Sequence, residues 1–260
     1  MTTTIARPVG APHLSSGADF PGIAFRRLLR VEWGKATDTR AARWLLGLVA
    51  ASTFGLMLAP VLAPSSIDQT YTSYLGFAGI ALSILLPVVA ILTLTSEWSQ
   101  RTSLTTFTQE TRRLRVVNAK MMVSLLLGGG AAMFGGLVTA AGLGVASASG
   151  RTLDADLNAG VVVGFVVFVL VNVFMGVALG ALIHNSAAAI VASFVLPTAF
   201  AALGQASTLI SEWVDPSTTL NGLLKGEWSG RTWQILVAVT VWVAVPLGVG
   251  LVRTVRREVK

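Results

Sequence analysis

The sequence predicts an all-α integral membrane protein: six transmembrane helices preceded by an amphipathic interfacial helix, with both termini cytoplasmic. Three observations predict it. Of the 260 residues, 53% are hydrophobic and 12% charged, whereas a soluble domain carries about 25% charged residues. Six apolar runs are each long enough to cross a hydrocarbon core of about 30 Å, which takes about 20 helical residues. The basic residues are sorted to one side of those runs.

Residues 1–18, with Pro8, Gly10, Pro12 and Gly17 among Ser and Thr, read as a disordered tail. The first ~40 residues hold no apolar core of the signal-peptide kind, and the first apolar run is long enough to span. Residues 19–43 have a helical pattern, with Phe25, Leu28, Leu29 and Trp33 on one face and Arg27 and Arg30 on another. That pattern suits a helix lying in the membrane interface; a plain basic flank that fixes topology is the alternative. Residues 44–252 hold the transmembrane domain, with spans at Trp44–Leu62, Leu75–Leu94, Val116–Val145, Ala159–Ile183, Ala187–Leu209 and Trp233–Val252. The third is long enough to emerge from the bilayer or to tilt. The fourth and fifth are separated only by His184, Asn185 and Ser186, so the turn is tight and His184 reads as a turn residue before it reads as a pH switch.

Two polar stretches interrupt the domain, at 97–120 and 209–231. The second contains Ile210, Trp213, Leu220, Leu223, Leu224 and Trp228, and both a short re-entrant helix pair and an ordinary capped loop fit it. Residues 253–260 form a basic tail.

Lys and Arg collect on the cytoplasmic side of membrane proteins. All but Arg151, Lys225 and Arg231 of the 19 basic residues precede the first span, lie in 97–120 or come after the sixth span. The other side carries Asp68, Asp154, Asp156, Glu212, Asp215 and Glu227. The net charge of +7 is therefore a topology signal with some attraction to anionic lipid. No nucleic-acid motif accompanies it.

Three spans carry small residues at every fourth position: Gly47, Ala51, Gly55 and Ala59 in the first, Gly128, Ala132, Gly136, Ala140 and Gly144 in the third, and Gly160, Gly164, Gly176 and Gly180 in the fourth, where Phe168 and Asn172 complete the row. Such ridges let helix backbones approach closely; lining a lateral opening is the alternative. Pro87, Pro197 and Pro246 lie inside spans and permit kinks. Asn172, the most polar residue deep in a span, reads as an interhelical hydrogen-bonding residue or as a candidate contact in a substrate pathway.

The chain shows no catalytic or ATP-binding pattern, so it is not expected to be an enzyme. It lacks the phosphate-binding G-x-x-x-x-G-K-[ST] and the nucleophile elbow G-x-S-x-G. With two histidines and no cysteine, no metal site is expected. No charged residue lies near the middle of a span, which argues against a proton-coupled transporter. A channel or scaffold needs no energy source; otherwise a partner supplies it.

Six spans, a basic interfacial helix and a polar basic loop between the second and third spans resemble the permease subunit of type-2 ABC transporters, exporters of drugs, antibiotics, lipids and polysaccharides. The residues that carry the resemblance are Glu97, Arg101, Thr102, Leu104, Phe107, Thr108, Arg113 and Lys120 in the loop, Glu32, Lys35, Arg40 and Trp44 ahead of the first span, and Pro216 after the fifth. One departure is clear: the family's Thr-Pro reads Thr108-Gln109 here, followed by Glu110.

The resemblance implies an efflux permease in a bacterial plasma membrane, whose 97–120 loop docks as a coupling helix on a separate ATPase subunit. Glu97, Arg101, Leu104, Phe107, Arg112 and Arg113 would form that contact, Leu104 and Phe107 as apolar anchors and the arginines as steering charges. Topology alone for Arg112 and Arg113, and a membrane-surface anchor for Phe107, are the simpler readings. ATP and Mg would be bound by the partner ATPase, with no cofactor in this chain. A second permease chain, as homodimer or heterodimer, would complete the pathway for a hydrophobic or amphipathic cargo. A non-transporting scaffold or immunity protein and a secondary transporter are the alternative functions.

Overall fold

The computed structural model describes residues 23–99, 112–153, 158–226, 228 and 230–256. These residues form α1 (Phe25–Thr37), α2 (Arg40–Leu62), α3 (Tyr71–Ser99), α4 (Arg113–Ala148), α5 (Ala159–Ile183), α6 (Ser186–Ala206), α7 (Thr208–Trp213), α8 (Pro216–Leu224), α9 (Thr232–Val239), a π-helical turn (Thr240–Ala244) and α10 (Val245–Arg256). Six stretches are long and apolar enough to cross a membrane: Arg40–Leu62, Tyr71–Glu97, Leu114–Ala148, Ala159–Ile183, Ser186–Ala206 and Thr232–Arg256. The described residues form an all-α bundle that contains these six helices.

Local sequence sets several helix starts. Thr39 accepts from the Ala42 amide, Asn158 from Val161 and Asn185 from Ala188. These side chains satisfy first-turn amides that have no intrahelical acceptor. The helical pattern of 19–43 is broken at Asp38 and Thr39, where α1 ends and α2 begins. His184 closes α5 in the left-handed conformation, φ 56°, and makes the tight turn that the sequence demands. Pro246 has no N–H to offer the carbonyl four residues back. The π-turn just ahead of it accommodates that gap, with the Val245 amide bonded to the Thr240 carbonyl.

The centre of the bundle is α3 against α5. Their apolar stretches are 56% and 61% buried, against 6% for α6. The small row of α5 explains this contact. A Cβ at Gly176 would overlap the Pro87 backbone of α3, and one at Gly164 would overlap the Leu223 carbonyl of α8. Gly180 lies against Leu94 and Ile91. The row of α2 behaves differently, with open space where a Cβ would stand at Gly47 and Gly55. The row of α4 is mixed: Gly128 lies against Val173 and Leu170 of α5, while Gly136 and Gly144 have open space.

The 209–231 stretch resolves into the short helices α7 and α8. α8 is tucked into the bundle, with Leu220, Leu223 and Leu224 buried, on the far side from the α3–α4 connection. Asp215 caps it by accepting from the Ser217 amide and the Ser217 and Thr218 hydroxyls. Trp242 holds the stretch to the last span, donating to the Val214 carbonyl at 2.7 Å and packing edge-on against Phe200. At the same end, Arg151 donates to the Val61 carbonyl at 2.8 Å. Tyr74 donates to Gln69 beside it. Together they cap the C-terminus of α2, where a cation complements the free carbonyls.

Candidate functional site

At the opposite end, four charged side chains from three helices meet. Glu32 and Lys35 come from α1, Glu97 from the last turns of α3 and Lys120 from the start of α4. Lys120 Nζ lies 2.6 Å from Glu32 Oε2 and 3.5 Å from Glu97 Oε1. Lys35 Nζ lies 2.6 Å from Glu32 Oε1 and 3.0 Å from Glu97 Oε1. Each ammonium thus bridges both carboxylates. Lys120 also donates to the Thr93 carbonyl at 3.2 Å.

Burial divides the four. Glu32, Glu97 and Lys120 are buried, while the side chain of Lys35 is 40% exposed. Burial by itself would lower the Lys35 pKa. The hydrogen bonds and negative charges of Glu32 and Glu97 outweigh it and hold the ammonium above its ordinary 10.5. Two carboxylates and two ammoniums balance, so the cluster puts no net charge inside the protein. An ion pair of this kind adds little net stability over an apolar contact, because desolvation offsets the attraction. Its effect is registry: Glu32 reaches Lys120 only when one face of α1 lies on α4, and Lys35 and Lys120 share Glu97 only when α3 and α4 are held at one level.

The apolar side of α1 is split accordingly. Leu28 turns inward onto Val116 and Ala119 of α4, in line with Glu32 and Ala36. Leu29 is partly buried, and Phe25 and Trp33 remain 38% and 40% exposed. The four stripe residues therefore face in more than one direction. Arg115 of α4 reaches back to the Ile23 carbonyl at 2.8 Å, a further tie between α1 and α4.

A water-sized cavity of about 20 Å³ adjoins the cluster, lined by Glu97, Lys120, His184 and Thr254 among others. His184 Nε2 lies 2.9 Å from Thr254 Oγ1, and Arg253 donates to the Leu182 carbonyl. The cluster is thereby continuous with the last span.

Of the loop residues singled out from sequence, Glu97 stands in the cluster. Arg112 precedes α4 and is exposed, and Arg113 opens α4. Arg101, Leu104, Phe107 and the departure at Gln109 and Glu110 lie outside the described residues. Asn172 donates through Nδ2 to the Phe168 carbonyl one turn back, at 2.9 Å. It also lines a second, larger cavity of about 280 Å³ between α3, α5, α6 and α8. Sequence reasoning does not pair Glu32 with Lys120. The available signal is an acid and a base three apart ahead of the first span, with an acid closing the second span and a base opening the third.

Among the described residues no group of three or more His, Cys, Asp or Glu could hold a metal ion. No protein-family model matches the sequence, and no curated protein matches it.

Proposed function

We propose that this chain is the transmembrane permease subunit of an ATP-driven exporter, with both termini and the 97–120 loop on the cytoplasmic side. One observation carries the reading: the four-charge cluster, with Glu32, Glu97 and Lys120 buried, grips both ends of the long polar loop, at Glu97 and Lys120, and fastens them to the interfacial helix. A push on the loop from a partner ATPase would then move α1, α3 and α4 together instead of fraying their ends. Through α3 it would reach α5, its closest neighbour. ATP and Mg belong to the partner, and the chain itself performs no catalysis. A second permease chain completes the pathway for an apolar or amphipathic cargo.

The test is purification of the tagged chain from its own membranes, followed by reconstitution. An ATPase subunit is expected to co-purify. Phe107→Ala and Arg113→Glu are expected to cut ATP-dependent export at least about tenfold, the effect of losing one interface anchor, with the bundle still folded. Export that survives ATP depletion but collapses with the ion gradient would favour a secondary transporter. Unimpaired export by both variants would sink the coupling role.

A further inference from the structure

The 280 Å³ cavity is close to the lower size limit of small-molecule sites, about 300 Å³. Its inner wall is the buried face of α5 with Phe168, Asn172 and Met175, closed by Pro87 of α3. Its rim is formed by α6 and by α8. No lining residue is charged.

Its hydroxyls have a consistent sense, while Asn221 of α8, exposed at the rim, adds an amide that can both donate and accept. The hydroxyls of Ser83, Ser193 and Thr198 donate their single hydrogen to the carbonyls of Ile80, Ile190 and Phe194 on their own helices. What each can still offer is an oxygen lone pair. Ser217 is spent in the same way on Asp215. Asn172 goes further. A peptide carbonyl can only accept, so the Asn172 nitrogen must face Phe168 and the amide oxygen is turned away from it. That oxygen has no hydrogen-bond partner among the described residues, although Asn172 is only 9% exposed. An acceptor that has no protein partner is open to a donor-bearing ligand entering the cavity.

We propose that this cavity is a binding site for uncharged, hydroxyl-bearing amphipaths, with the hydroxyl head on Asn172 and the apolar body between Ile84, Phe168 and Phe194. An anion meets no cationic side chain in the lining. A cation meets no carboxylate in the lining, and a buried charge without a partner is strongly disfavoured. A hydroxyl donates to the Asn172 oxygen and accepts from its remaining N–H. The site deepens the transport reading by naming its cargo class, and rests on that reading only for the export step, since binding itself needs no ATPase.

The experiment uses the purified full chain in phosphatidylcholine nanodiscs, without ATPase. Four photoreactive probes share one diazirine acyl chain: a monoacylglycerol, the methyl ester, the free fatty acid and the alkylamine. The monoacylglycerol is expected to label cavity peptides saturably and about fivefold above the ester, the effect of one net hydrogen bond. Asn172→Leu is expected to reduce it to the ester's level. Ser193→Phe, which fills the space, is expected to abolish labelling by both, and carries the test should Asn172→Leu not fold. Equal labelling by all four probes, or preference for the acid or the amine, overturns the proposal. Export without such binding sinks the site alone; binding in a chain that never engages an ATPase sinks the transport reading alone.

Discussion

Lys120 is buried against two carboxylates, so removing its charge strands Glu32 and Glu97 with Lys35 as their remaining ammonium. Lys120→Met is expected to destabilise the chain by about 3–5 kcal/mol, as breaking buried pairs does. The double variant Glu32→Leu, Lys120→Met should recover most of that loss, because the Lys35–Glu97 pair persists and no lone charge remains. Thermal unfolding in detergent of the two single variants and the double variant measures this. A double variant as damaged as the single would show that the cluster is not the origin of the effect. Lys35 gives a pH signature. Its folded pKa is raised above 10.5, so its contribution is complete below the unfolded value and is lost as pH rises through the folded one. The wild type should therefore lose thermal stability as pH rises above about 10.5, and Lys35→Met should lose less over the same alkaline range. Identical alkaline profiles would contradict the assignment.

At the scale of elements, the small rows of α2 and α5 are alike in sequence and unlike in use. The α5 row meets backbone at Gly164 and Gly176, and neighbours there cannot retreat as a flexible side chain would. Gly176→Ala is expected to cost at least about 1–3 kcal/mol, the range for overpacking. Gly55→Ala, facing open space, should be neutral or slightly stabilising, since alanine favours a helix by about 1 kcal/mol over glycine. Comparing the two melting temperatures decides it; equal effects would mean that α3 and α5 do not cross at Pro87. The spacing of these glycines could be read from sequence, but their partners could not. Which helix a small ridge faces depends on how the whole bundle closes.

At the scale of the molecule, α6 is almost uncovered: Val191 is 60% and Val195 55% exposed. If a second permease chain stands there, α6 supplies part of its contact. The sequence has no cysteine, so single-cysteine variants report cleanly. Val195→Cys is expected to form a disulfide-linked pair on oxidation in native membranes, and Met133→Cys, an exposed position on α4, is the control. Absence of cross-linking at several α6 positions would place lipid on that face and sink the pairing.

The sequence by itself determined the membrane class, the number of spans, their approximate bounds and the sorting of charge. Each comes from local composition and length, because lipid forces every backbone polar group into a helix. It also marked Glu32, Lys35, Glu97 and Lys120 one by one. Only the tertiary structure decided that these four neutralise one another, that Leu28 turns into the protein while Trp33 does not, and that Asn172 borders a cavity. Those are relations between helices far apart in the chain, set by packing at Gly164 and Gly176 and by the requirement that a buried charge find its opposite.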